Sequence, residues 1–223
     1  RSGSTMPRMR SAKTDLPEDY VEFARFERHE NATNRRISYF LHFAAVVFFV
    51  PLFAGVTAAV RPGTTLDPVN LWSVGLPGIG TLGTLVILFL LVVAALYLRA
   101  LLRAAAIRLA AGTAPALSLR GVMLRVTAES CYFSKGALVV LSVTPFFTIA
   151  VIGTVVLPFV PAAGLAWVYI PLVVNGVAVS RDVMTLSWVL VTPKQSLLED
   201  KGEVLTVYAP PGSGRRPSEE SSE

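Results

Sequence analysis

A chain of 223 residues that is 53% hydrophobic and only 16% charged, with a mean hydropathy of +0.58, is too apolar for a water-soluble domain, in which about 25% of residues are charged. The net charge of +5 raises nucleic acid as a partner, but the basic residues flank long apolar runs instead of lining a continuous groove, so no nucleic-acid partner is expected. A single cysteine, Cys131, excludes an intramolecular disulfide framework, and no Cys/His spacing is present that could hold a structural zinc.

Residues 1–36 form a polar arm with both signs of charge. Within it, Glu18 to Arg28 predicts a short surface helix beside the membrane. Asn31-Ala32-Thr33 matches a glycosylation sequon but falls on an arm expected to be cytoplasmic, so it receives no role. From Ile37 to Val60 there is no charge; a helix through that run rises about 36 Å, enough for a hydrocarbon core of about 30 Å. The run exceeds the roughly 7 to 15 residues of a signal-peptide core and reads as a retained anchor.

The next uncharged stretch, Pro68 to Leu98, opens with glycine and proline, so a second span over 76–98 is expected, with its helix proper starting near Thr81. Gly78-Ile79-Gly80-Thr81-Leu82-Gly83 matches GxGxxG, yet no strand precedes it and the following helix is lipid-spanning, so it reads as a closely packed helix entry. No helix breaker appears before Gly112, so this helix should run on past Arg99 and Arg103, which share one face and snorkel at the boundary. Leu117 to Phe133 partly alternates apolar with polar, and Gly121 could turn a small hairpin between the second and third helices.

Gly136 to Ser180 is uncharged and too long for one crossing; Pro158 and Pro161 bracket a turn and divide it into spans over 137–158 and 162–180. The apolar run Val183 to Pro193 is too short to cross and is expected to pack on the protein or lie at the interface. Residues 209–223 are rich in Pro, Gly, Ser and charge and are expected to be a disordered tail beyond a membrane domain over 37–208. Lys and Arg number eight before the first span, one in the next loop, six in the third segment, none in the fourth and five at the end. That alternation places both termini in the cytoplasm. The expected fold class is therefore a mainly α, polytopic protein with four transmembrane helices, multi-pass in the cell membrane, with the lipid bilayer as its first partner.

Chemistry-bearing groups are sparse. His29 begins HExxT, not HExxH, and His42 has no partner four residues on, so the arrangement that holds zinc between two helical histidines beside a glutamate base is absent. No GxSxG nucleophile arrangement occurs. Asn175 and Asp182, seven residues apart, share a helix face if the fourth helix continues through both. A carboxylate at the end of a span calls for a partner or a task.

Arg99-Ala100-Leu101-Leu102-Arg103, then Leu117 to Phe133, Thr144-Pro145-Phe146, Asn175 to Asp182, and Leu198-Glu199-Asp200-Lys201-Gly202 before Tyr208 together resemble the zincin peptidase family of membrane proteins, whose layout is similar to that of site-2 proteases. The resemblance runs from about Arg25 to Tyr208. It implies that Arg99 and Arg103 stand at the two histidine positions, Ala100 stands at the glutamate position, and Asp182 remains as a third-ligand position. A protease-like fold without proteolysis is then expected, with zinc absent and a role in binding a membrane partner or substrate. Arg99 or Arg103 would place a guanidinium near the vacated metal position and pair with Asp182. Two alternatives stay open: an active membrane metallopeptidase with another ligand set, and a small transporter or channel, for which the spans offer only His42, Asn175 and scattered Ser and Thr as a polar path.

Overall fold

The computed structural model describes residues 12–13, 16–27, 32–63, 78, 80–121, 123–128, 131–202 and 204–213. His29, Asn31 of the sequon, residues 76–77 of the second predicted span, Ile79 of the glycine motif and the tail from residue 214 lie outside them. The fold is mainly helical. Its four long helices are α1 (Ala32–Val60), α2 (Thr81–Ala111), α3 (Lys135–Val156) and α4 (Leu165–Val191).

The apolar runs become helices wherever nothing breaks them. Gly80 caps the start of α2, and Gly112 ends it in the left-handed conformation at φ 72°, donating its N–H to the Arg108 carbonyl. Glycine adopts that conformation without a Cβ penalty. Ser134 caps α3 by accepting from the Ala137 N–H at 3.3 Å, and the neighbouring Lys135 donates to the Leu190 and Thr192 carbonyls at the end of α4. A cation at the carbonyl end of α4 also complements the helix dipole. Pro158 and Pro161 sit in the turn between α3 and α4, where two short 3-10 helices, Leu157–Phe159 and Ala162–Gly164, reverse the chain.

Among the described residues, three segments are long and apolar enough to cross a membrane: Thr33–Val60, Thr81–Ala111 and Lys135–Phe159. α4 falls short of that composition because Asn175, Arg181 and Asp182 interrupt it. It also differs from the expected outline. The Val183 run is no separate element, because α4 continues unbroken to Val191. That extension packs on the protein, with Val189 fully buried.

The strands form two sheets. β3 (Ala116–Arg120) and β4 (Met123–Thr127) make the expected hairpin around Gly121, which has φ 61°. The other five are β1 (Ala12–Lys13), β2 (Val21–Glu27), β5 (Tyr132–Ser134), β6 (Leu197–Asp200) and β7 (Val204–Ala209), antiparallel in the order β1-β5-β6-β7-β2. Within the surface helix expected over Glu18 to Arg28, Val21–Glu27 is instead a strand. Its residues pair with β7 from Val21↔Ala209 to Glu27↔Val204, with the register slipping between Glu22 and Ala24. Ladder bonds to β7 and burial of Phe26 against Trp188, with ring centroids 5.0 Å apart, outweigh the weak helical preference of a short charged stretch.

Two cores result. One face of the five-stranded sheet presents Phe26, Phe133, Leu198, Leu205 and Val207 to Ala104 and Ile107 of α2, Leu138 and Leu141 of α3 and Val189 of α4. Each such fully buried side chain stabilises by roughly 1.5–3 kcal/mol. The second core, Phe53, Ile149, Leu157, Leu165, Tyr169 and Leu172, lies among α1, α3 and α4. Helix contact there is close: a Cβ added at Gly176 of α4 would lie 2.5 Å from Cγ of Phe49. The sheet gathers the N-terminal arm, the α2–α3 connection and the C-terminal segment at one end. Away from the sheet, the Arg61 guanidinium after α1 donates to the Val160 carbonyl in the α3–α4 turn.

On the sheet face turned away from the helices, Tyr208 donates to Glu199 at 3.1 Å, Lys201 pairs with the same carboxylate at 3.2 Å, and Tyr132 packs edge-on to Tyr208. Burial first, then the charge and hydrogen bond of Glu199, push the Tyr208 phenol from 10.0 up to about 12. Raised above its unfolded value, this group contributes stability that is complete below about pH 10 and is lost as pH rises through about 12. Tyr208→Phe should remove a tyrosinate absorbance step near that upper value and flatten the alkaline fall in stability. A missing step centred at the ordinary tyrosine value would refute the assignment.

Candidate functional site

Where the two cores meet, α2, α4 and the β6–β7 turn place four charged side chains together. α2 supplies Arg99 and Arg103, one turn apart on the same face because the helix is unbroken through both. α4 supplies Asn175 and Asp182, two turns apart and both buried. Arg99 donates through Nη1 to Asn175 Oδ1 at 2.7 Å and to the Asn175 carbonyl at 3.3 Å, and through Nη2 to Asp182 Oδ2. Asn175 in turn donates Nδ2 to the Phe146 carbonyl of α3 at 3.1 Å.

Arg103 faces both ways. Its Nη1 lies 3.9 Å from Asp182 Oδ1, and its Nη2 donates to Asp200 Oδ2 at the end of β6. Asp200 is fixed from behind by accepting the Gly202 N–H at 2.9 Å. The side chains of Arg99, Asp182 and Asp200 are 13%, 10% and 8% exposed, so the pairs are largely withdrawn from water. Two guanidinium groups and two carboxylates balance, which is the condition under which such burial is tolerable. Arg103 Nε is buried without a hydrogen-bond partner among the described residues.

The network therefore joins Arg99, Arg103, Asn175 and Asp182, all four named from the sequence. Ala100, between the arginines, packs instead against the sheet-end core. His42 bonds within its own helix, its Nδ1 2.7 Å from the Ser38 carbonyl, and is no member of the network. Asp200 was missed as a site residue. Its Asp-Lys-Gly sequence explains itself as a hairpin turn, with Gly202 at φ 85°, and no spacing links it to residue 103.

A zinc ion does not fit these residues. The positions that would carry histidine and glutamate hold two permanently charged guanidinium groups and a methyl, which offer no lone pair and repel a dication. Nor do three His, Cys, Asp or Glu side chains cluster as a metal cage elsewhere among the described residues. The arrangement can hold two helices and a strand turn in register and present hydrogen-bond donors. No protein-family model matches the chain, and neither a curated protein nor a solved structure similar to it is found, so the likeness to zincin peptidases rests on the quoted residues alone.

Proposed function

We propose that the chain is a multi-pass membrane protein in which all four helices cross the bilayer, the sheet lies on the cytoplasmic side, and a protease-like layout serves binding of a membrane partner instead of hydrolysis. Several features support the membrane reading. Tyr39, Phe40, Phe43, Leu82, Phe89, Val151 and Phe159 point outward from the helices, an apolar exterior suited to lipid and unsuited to water. Strand edges are excluded from the hydrocarbon core, which favours a place outside it for the five-stranded sheet. The segments meeting at the sheet are also those richest in Lys and Arg, as a cytoplasmic side requires.

One observation carries the non-hydrolytic reading: Asp182, the carboxylate left at a ligand position, has its two oxygens turned to Arg99 and Arg103. The test is the metal content of detergent-purified protein, by elemental mass spectrometry, for wild type and Asp182→Ala. No stoichiometric zinc is expected in either. Stoichiometric zinc in the wild type that disappears in the variant would overturn the proposal and revive a metallopeptidase.

A further inference from the structure

The exposed side of α2 does not become polar where the helix passes its inner network. Leu90, Ala94, Leu98, Leu101, Ala105 and Leu109 recur at steps of three and four residues and are all exposed, so a single apolar strip runs from the middle of the helix to its last turn. Leu109, near the end, is 88% exposed. The β3–β4 hairpin carries a second apolar face close by. Leu117 is paired with Val126 and Leu119 with Leu124, which puts all four on one side of the ribbon. Only Val126 reaches the core; Leu117 and Leu119 stay 52% and 68% exposed. A two-stranded ribbon is marginal in water by itself, and this one pairs with no other strand among the described residues.

Charge identifies what covers this surface. Residues 99–129 contain five arginines and one acid, Glu129. Arg99 and Arg103 are engaged by the carboxylates of Asp182 and Asp200, which leaves Arg108, exposed beside Leu109, with Arg120 and Arg125 further along the sequence and Glu129 as the single acid of the stretch. Apolar side chains bordered by excess arginine match the boundary between acyl chains and anionic headgroups. An acidic protein surface would match the arginines but not the leucine strip that continues into the span.

The geometry points to an interfacial shelf: the last turns of α2 and the leucine face of the β3–β4 hairpin seat in the sheet-side leaflet and bind anionic lipid headgroups. The inference rests on the membrane-spanning reading above. In the shelf, Leu117 and Leu119 enter the acyl boundary while Arg108, exposed at the end of α2, stays at headgroup level. A strip that outlasts the span lets α2 leave the bilayer obliquely.

The test uses the full chain in lipid nanodiscs containing an anionic fraction, with Leu90→Cys, Ser118→Cys and Leu119→Cys each carrying an environment-sensitive dye. Cys131 is buried, and labelled wild type sets the background. Quenchers attached to lipid near the headgroup and dissolved iodide are compared. A Leu119 dye quenched by lipid and shielded from iodide, a Ser118 dye on the other face quenched by iodide, and weaker shielding of residue 119 in purely zwitterionic discs are the expected results. Iodide quenching at 119 with lipid quenching at 90 overturns the shelf and leaves the membrane reading intact. Absence of lipid quenching at 90 removes both. A residue 119 dye protected from both quenchers overturns the shelf in favour of a protein covering, such as a second copy, and equal shielding in zwitterionic discs overturns the headgroup specificity.

Discussion

Asp182→Ala is expected to lower the unfolding free energy by about 3–5 kcal/mol, because it leaves Arg99 and Arg103 buried against a missing carboxylate. Arg99 gives its Nη2 to Asp182, and Arg103 retains only Asp200. Removing both members of the tighter pair, as Arg99→Met with Asp182→Leu, leaves Arg103 and Asp200 as a balanced pair. It should therefore cost less than the sum of the single changes by at least about 1 kcal/mol. Unfolding titrations in mixed micelles measure Asp182→Ala and, for the cycle, Arg99→Met, Asp182→Leu and the double variant. Strictly additive losses would show that the guanidinium and carboxylate do not act as a unit, and the network would then be a coincidence of packing.

Gly176→Ala should destabilise by about 1–3 kcal/mol through one methyl group. The new Cβ would stand 2.5 Å from Cγ, 2.7 Å from Cδ1 and 3.0 Å from Cβ of Phe49. These are atoms at the root of the ring, so rotation of the ring tip brings no relief. The ring is also held between Phe53 and Phe146, at centroid distances of 6.0 and 5.7 Å. α1 must then separate from α4, and the Asn175 amide beside the glycine is drawn off the Phe146 carbonyl. Pairing the change with Phe49→Leu should recover part of the loss in the same titration. Full wild-type stability of Gly176→Ala would mean that α1 and α4 do not approach this closely.

The candidate site was partly legible in the sequence. Arg99 and Arg103 share a face because four residues make about one helical turn, and Asn175 and Asp182 share one for the same local reason. A charged group in an apolar helix invites an opposite charge, so an arginine–aspartate pair could be anticipated. Which arginine takes Asp182 as its close partner, and that Arg103 turns to Asp200 on a strand, depends on the approach of three elements far apart in the chain. No local spacing encodes that approach.

The sequence by itself determined the number of long helices, the passage of α2 to Gly112, the hairpin at Gly121 and the turn at Pro158 and Pro161. Each follows from apolar period, a glycine or a proline acting within a few residues. Only the tertiary structure decided that Val21–Glu27 is a strand, that α4 carries on through Arg181 and Asp182 to Val191, and that three separate segments build one sheet. Val21 finds its partner Ala209 at the opposite end of the chain, and ladder bonds of that kind have no signature in either segment alone. α4 tolerates its charges because Asp182 meets Arg99 and Arg103 from another helix. The same two residues look like the end of a span when the chain is read without its partners.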